Sequence, residues 1–247
     1  MIAIIIDDVG EDLQDGRRAI ALPGPVAYSF LPYMDHTARL ARLAHRRHKE
    51  VLLHLPMQAI DGRNIGRGGL DIDMTEGELR RTVAADLAAV PYVEGVNNHM
   101  GSLATQHPGL MKWLMQDLSR RGGLFFVDSR TTDMTVAQQV AAENGVPNLR
   151  RDVFLDDDLN TPAIDAQFRL LLRMARRQGW AVAIGHPHPA TLSYLASRLP
   201  GLADDGVRLV PVRYLVQRYG GWHDREPPRF IEARDGGAAL PAAAHLQ

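Results

Sequence analysis

Apolar and polar positions fall along this chain in blocks that switch between two periods. Ile2-Ala3-Ile4-Ile5-Ile6 runs without a polar break into Asp7-Asp8-Val9-Gly10, the signature of a strand buried on both faces whose end emerges into a polar site. Residues 11–21 predict a short helix, stopped by Leu22-Pro23-Gly24-Pro25. A second strand spans 26–31. Ala38, Leu40, Ala41, Leu43 and Ala44 then follow helical spacing into the basic cluster Arg46-Arg47-His48-Lys49, favourable at a helix C-terminus. A third strand covers 51–57, with Pro56 marking its end because proline cannot donate to a ladder.

The glycine-rich segment 61–73 has no periodicity and predicts a long loop, without the ending of a phosphate-binding loop. Thr75 and Glu78 form a capping box for a helix to about residue 90, with Leu79, Val83, Leu87 and Val90 on one face. Further strands are expected at 95–97, 124–127, 153–155, 181–184 and 207–212, and helices at 107–121, 135–144, 164–178 and 191–199. Seven or eight strands alternating with helices predict parallel βαβ units. Chemically capable residues recur where apolar strands give out: Asp7 and Asp8, His54, Asn97 to His99, Asp128 with Arg130, Asp156, and His186 with His188. Strand ends converging on a common site describe a (β/α) barrel better than an open sheet with a single switch point. The chain reads as one barrel domain over 1–220, followed by a disordered tail, 221–247, of Gly, Pro, Ala and charge.

Composition narrows the chemistry. The 247 residues carry a formal charge of −1, and the 28 basic residues, nearly all arginine, are scattered, so nucleic acid is not an expected partner. No cysteine is present, so any metal must be held by His, Asp or Glu. No signal peptide is visible, and no apolar run approaches the ~18 residues of a membrane span. Oligomeric state is not legible.

Adjacent carboxylates repel, so Asp7 and Asp8 want a cation or a shared proton; one is expected to hold a divalent metal while the other handles protons. His54 interrupts an apolar strand, where an imidazole needs a partner. His99 follows two asparagines and precedes Met100-Gly101, either a ligand or part of a turn-forming cluster. One carboxylate and two imidazoles would leave coordination positions open for water and substrate. His186, fixed between Gly185 and Pro187, suits protonation of a leaving group or stabilisation of an oxyanion, or belongs to a proline-rich turn. Asn98, Asp128, Arg130 and Asp156 are candidates to orient these groups or touch substrate, the charged ones alternatively pairing with one another. Ser29 and Ser129 lack a nucleophile elbow, and His36, His45, His48, His107 and His223 carry no assigned role.

Together, Ile4-Ile5-Ile6-Asp7-Asp8, Leu53-His54-Leu55-Pro56-Met57, Val96-Asn97-Asn98-His99-Met100-Gly101-Ser102, Phe126-Val127-Asp128-Ser129-Arg130-Thr131-Thr132, Arg151-Asp152-Val153-Phe154-Leu155-Asp156 and Ile184-Gly185-His186-Pro187 resemble the divergent polysaccharide deacetylase family of the NodB-like superfamily. The resemblance covers about residues 2 to 215. It implies a distorted (β/α) barrel of about seven strands and metal-dependent hydrolysis of N- or O-acetyl groups on a carbohydrate. It maps the general base onto Asp7, a metal ligand onto Asp8 and the general acid onto His186. The second histidine expected four residues after His99 is replaced by Leu103. A related branch takes a ligand from a Leu-His-Leu strand, which implies Asp8, His54 and His99 as the metal set. The arginine motif that braces the base has no clear match, and Arg130 is the substitute. Zinc best suits this donor set. The resemblance points to the periplasm or cell envelope. A catalytically silent barrel binding a glycan or an envelope partner is the alternative, and a phosphoester hydrolase is disfavoured because no phosphate cradle is present.

Overall fold

The computed structural model describes residues 1–221, so the remainder of the segment expected as a disordered tail lies outside the described residues. Eight parallel strands form one sheet: β1 (Ile2–Val9), β2 (Ala27–Phe30), β3 (Val51–Met57), β4 (Gly95–Met100), β5 (Phe125–Asp128), β6 (Asn148–Arg150), β7 (Val153–Phe154) and β8 (Ala181–Gly185). Their order is β6-β5-β4-β3-β2-β1-β8-β7. The two edge strands are consecutive in sequence, separated only by Arg151 and Asp152. Three peptide steps span at most ~11 Å, so the edges must lie close together and the sheet must curl. Arg151 N donates to Asp128 O on β5 at 2.9 Å, and Asp152 N donates to Val182 O on β8 at 2.8 Å. β6 and β7 are thus two halves of one stave that changes partner midway. Counting them as one gives the seven positions expected of the barrel.

Strand parity sorts the core into two layers. Ile2, Ile4 and Ile6 point outward into the large cluster shared with the helices, including Leu40, Leu79, Leu114 and Phe168. Ala3 and Ile5 point inward with Ala27, Leu52, Phe125, Val127, Leu149, Val182 and Ile184. Seven helices flank the strands: α1 (Leu13–Ile20), α2 (Thr37–Arg46), α3 (Glu76–Ala89), α4 (Pro108–Arg121), α5 (Ala137–Glu143), α6 (Thr161–Gln178) and α7 (Pro189–Arg198). The Thr75–Glu78 capping box that opens α3 is present.

Two expectations need correction. The segment 207–212 is not a strand but makes one bridge, Leu209 to Ile2, before Pro211 ends the pairing. The chain then turns into an eighth helix, α8 (Val212–Tyr219). Glu50, just before β3, captures the first two N–H groups of α8, accepting from Val212 at 2.6 Å and Arg213 at 2.8 Å. Val212, Leu215 and Val216 join the inner cluster, so α8 plugs the end of the barrel where the strands begin. Pro56, in turn, does not end β3, which continues to Met57. β2 has already stopped there, and Pro56 O instead accepts from Leu70 N at 2.9 Å. The missing donor therefore falls on a locally open edge, where proline is tolerated.

Candidate metal centre and active site

At the opposite end of the barrel the inward positions change from apolar to polar. Beyond Ile5, Ala27, Leu52 and Val127 the same parity delivers Asp7, Ser29, His54 and Ser129, and β4 adds Asn97 opposite His54 in the ladder. Asp7, Ser29, His54, Asn97 and Ser129 are all buried.

Parity alone would send Asp8 outward. Instead Asp8 adopts the left-handed conformation, with φ of 54°, where the β1–β2 register shifts. Aspartate is among the residues that tolerate this region. The turn brings its carboxylate back over the barrel mouth. Asp8 Oδ1 lies 3.1 Å from His54 Nε2 and 2.9 Å from His99 Nδ1, and the two imidazole nitrogens are 3.2 Å apart. Gly10, at φ of 139°, completes the bend; a Cβ there would sit 2.4 Å from Thr37 Oγ1.

The donor set fits a divalent cation. His54 Nδ1 lies 2.9 Å from Asn97 Oδ1, which has only lone pairs, so its proton belongs there and Nε2 presents a lone pair. That lone pair, His99 Nδ1 and the buried Asp8 Oδ1, which has no ordinary hydrogen-bond partner, face one another. Three acceptors converging this closely require a proton or a metal between them. Burial works to lower the basicity of His54, but the neighbouring carboxylates of Asp7 and Asp8 raise its pKa overall. Burial likewise opposes ionisation of Asp8, yet the imidazoles of His54 and His99 beside it hold its carboxyl far below the usual range.

Asp7 is set differently. Burial dominates and raises its pKa, despite the neighbouring imidazoles and the Asn97 amide, whose Nδ2 donates to both carboxylate oxygens at 2.9 and 3.0 Å. The two adjacent acids therefore have divergent proton affinities, the pattern that separates a proton acceptor from a permanent anion.

His186 enters from the end of β8. Its Nδ1 lies 3.0 Å from Asp156 Oδ1, and its backbone N–H donates to Asp156 Oδ2 at 2.7 Å. Thr191 Oγ1 donates to the same Oδ2 at 2.7 Å. Burial disfavours the imidazolium, but the hydrogen bond and charge of Asp156 push His186 up to about 9. Its Nε2 faces the metal position, 3.9 Å from Asp8 Oδ2. Side-chain exposures of 36% for Asp8, 24% for His99 and 27% for His186, against 3% for Asp7 and His54, show which groups meet solvent.

Asp7, Asp8, His54, His99, His186 and Asp156 thus come together. Asn98, Asp128 and Arg130 do not join them. Asn98 bonds Met100 O and Ser129 N, tying the ends of β4 and β5 together. Asp128, of outward parity, accepts from Arg130 N and Thr135 Oγ1. The Arg130 guanidinium pairs with Asp133 at 3.2 Å, so it does not brace Asp7. Asn97, Ser29 and Thr191 also join the site, though the sequence assigns them no role in it. The signal for Asn97 was its parity with His99, which the two neighbouring asparagines masked.

The model of divergent polysaccharide deacetylases matches residues 4–216. The chain belongs to the divergent polysaccharide deacetylase family. It is 37% identical over 204 residues to an uncharacterized protein of Haemophilus influenzae, covering 83% of this chain and 72% of that one. Protein YibQ of Escherichia coli is 38% identical over 204 residues, with 83% and 64% covered, so this family member matches under two thirds of YibQ. Among solved structures, an uncharacterized protein of Agrobacterium tumefaciens superposes with a TM-score of 0.83 at 23% identity, over 87% of this chain and 88% of that one. The catalytic domain of a peptidoglycan N-acetylglucosamine deacetylase from Eubacterium rectale gives 0.54 at 13% identity, over 85% and 87%. These two likenesses show the barrel fold.

Proposed function

We propose that this family member is a metal-dependent carbohydrate deacetylase, hydrolysing an N- or O-acetyl group on a sugar of a polysaccharide or cell-envelope glycan. The observation that carries the reading is the Asp8–His54–His99 triangle flanked by a buried acid, Asp7, and a carboxylate-backed imidazole, His186. Asp8, His54 and His99 would hold the cation, and zinc is the metal best matched to two imidazoles and one carboxylate. When bound, it supplies a Lewis acid that makes water nucleophilic at neutral pH and polarises the acetyl carbonyl.

The remaining work falls to the protein. Asp7, whose proton affinity burial raises, takes the proton of the attacking water at Oδ2, the oxygen 3.6 Å from His54 Nε2. His186, held as imidazolium by Asp156, directs Nε2–H toward the developing oxyanion and then gives that proton to the departing sugar nitrogen or oxygen. The acetyl C–N or C–O bond breaks, leaving acetate and a free amine or hydroxyl. The solvent-facing placement of Asp8, His99 and His186 suits a bulky glycan approaching from the barrel mouth.

The test is metal analysis of the purified chain with acetate release measured on chitooligosaccharides and peptidoglycan fragments. Metal-dependent acetate release abolished in Asp8→Ala and His186→Ala supports the proposal. Full activity in Asp8→Ala or after complete chelation sinks it.

A further inference from the structure

One amide touches nearly every buried polar group beneath the metal position. Asn97, fully buried, accepts at Oδ1 from Ser29 Oγ at 2.5 Å and faces His54 Nδ1 at 2.9 Å with the same oxygen. Its nitrogen donates to both oxygens of Asp7 and reaches Ser129 Oγ at 3.3 Å. From these contacts we infer that Asn97 is the positioning residue of the site: it selects the Nδ1–H tautomer of His54, so that Nε2 is the metal-binding atom, and with the same amide aims Asp7.

The chain of reasons is directional. A carboxylate offers only lone pairs, so the amide nitrogen must turn toward Asp7. The amide oxygen then points the other way, at Ser29 and His54. An oxygen can only accept, so the His54 proton is drawn to Nδ1 and the lone pair is left on Nε2, 3.1 Å from Asp8 Oδ1. Orientation by an outer hydrogen bond is how ligating imidazoles are generally held. Here the outer partner also holds the acid beside the centre, so one neutral group serves the task that the resemblance gives to an arginine. The β3–β4 ladder makes this possible, pairing His54 with Asn97 at adjacent inward positions. Ser29, rejected as a nucleophile, supplies the second proton that keeps the amide oxygen from rotating away.

This inference rests on the metal-centre reading of Asp8, His54 and His99, and its test does not need turnover. On the full chain loaded with Zn²⁺, imidazole ¹⁵N NMR should show His54 protonated at Nδ1 and metal-bound at Nε2. Zn²⁺ affinity by competition titration should fall ~10- to 100-fold in Asn97→Ala. The fall should be smaller in Ser29→Ala. Metal bound through His54 Nδ1, or an Asn97→Ala affinity within twofold of wild type, overturns the assignment. Should Asn97→Ala not fold, the wild-type tautomer and Ser29→Ala decide. A chain that takes up Zn²⁺ as described but releases no acetate from any substrate removes the deacetylase reading and leaves Asn97 in place. A wild-type chain that takes up no Zn²⁺ removes the metal centre and the Asn97 assignment with it.

Discussion

Asp156 grips His186 at two points, Oδ1 on the ring nitrogen Nδ1 at 3.0 Å and Oδ2 on the backbone N–H at 2.7 Å. Ring and main chain are thereby fixed together, and Thr191 fixes the carboxylate in turn. Such a pair keeps the imidazole charged through neutral pH, as a proton donor requires.

The first prediction follows from that pair. Burial alone would depress His186, and Asp156 raises it to about 9. The acid is competent only below its pKa, so activity should fall on the alkaline side as His186 loses its proton. Asp156→Asn removes the charge and should move that alkaline limb down by about one pH unit or more. A pH–rate profile checks this, and an unmoved limb would separate His186 from proton donation.

Metal removal should destabilise the chain. A ligand that binds only the folded state stabilises by about 2.7 kcal/mol at a concentration 100 times its Kd. Thermal melts with and without excess Zn²⁺ should therefore differ by several degrees in the wild type. The difference should vanish in Asp8→Ala and shrink in His54→Ala and His99→Ala. An undiminished shift in Asp8→Ala would place the metal elsewhere.

Glu50 predicts a stability trend away from the site. Burial, then the neighbouring charge of Glu94, raise its pKa to about 7 from 4.5, against the N–H groups of Arg213 and Val212. The folded state thus holds a proton that the unfolded chain releases between pH 4.5 and 7. Stability should fall as pH rises through that window, by no more than ~1.4 kcal/mol per pH unit for one group. Glu50→Gln should flatten the slope in denaturant titrations across the same range. A slope that survives the substitution assigns the trend to other groups.

Leu215 tests the plug. Fully buried in the inner cluster, its truncation to alanine should cost about 2–5 kcal/mol in chemical unfolding. Because α8 closes the end of the barrel where the strands begin, zinc affinity of the folded fraction should stay within twofold of wild type. A large loss of affinity would mean that plug and site are coupled through the barrel interior.

Much of this was written locally. Apolar runs identified β1, β3 and β8, that of β3 broken only by His54, and the Thr75–Glu78 capping box placed the start of α3. Acids and histidines at strand ends indicated a common site before any contact was visible. What local pattern missed depended on partners distant in sequence. β6 has three residues and no pattern of its own; it exists because Phe126, Val127 and Asp128 stand beside it. The apolar stretch before Pro211 resembles a strand from inside, yet Glu50, some 160 positions away, captures the N–H groups that follow and starts a helix. Asp128 and Asp156 looked equivalent as acids after short strands, but outward parity gave one a loop to staple and the other a histidine to hold.

By itself, then, the sequence determined the strand–helix alternation, the parallel barrel and the residues brought to its mouth, because periodicity and chain breakers act over a few residues. Only the tertiary structure decided which of those residues meet. The left-handed turn at Asp8, the His54–Asn97 register and the stave shared by β6 and β7 follow from ladder pairing and barrel closure. Those are contacts between segments tens of residues apart, whose free energy exists only once the core has formed.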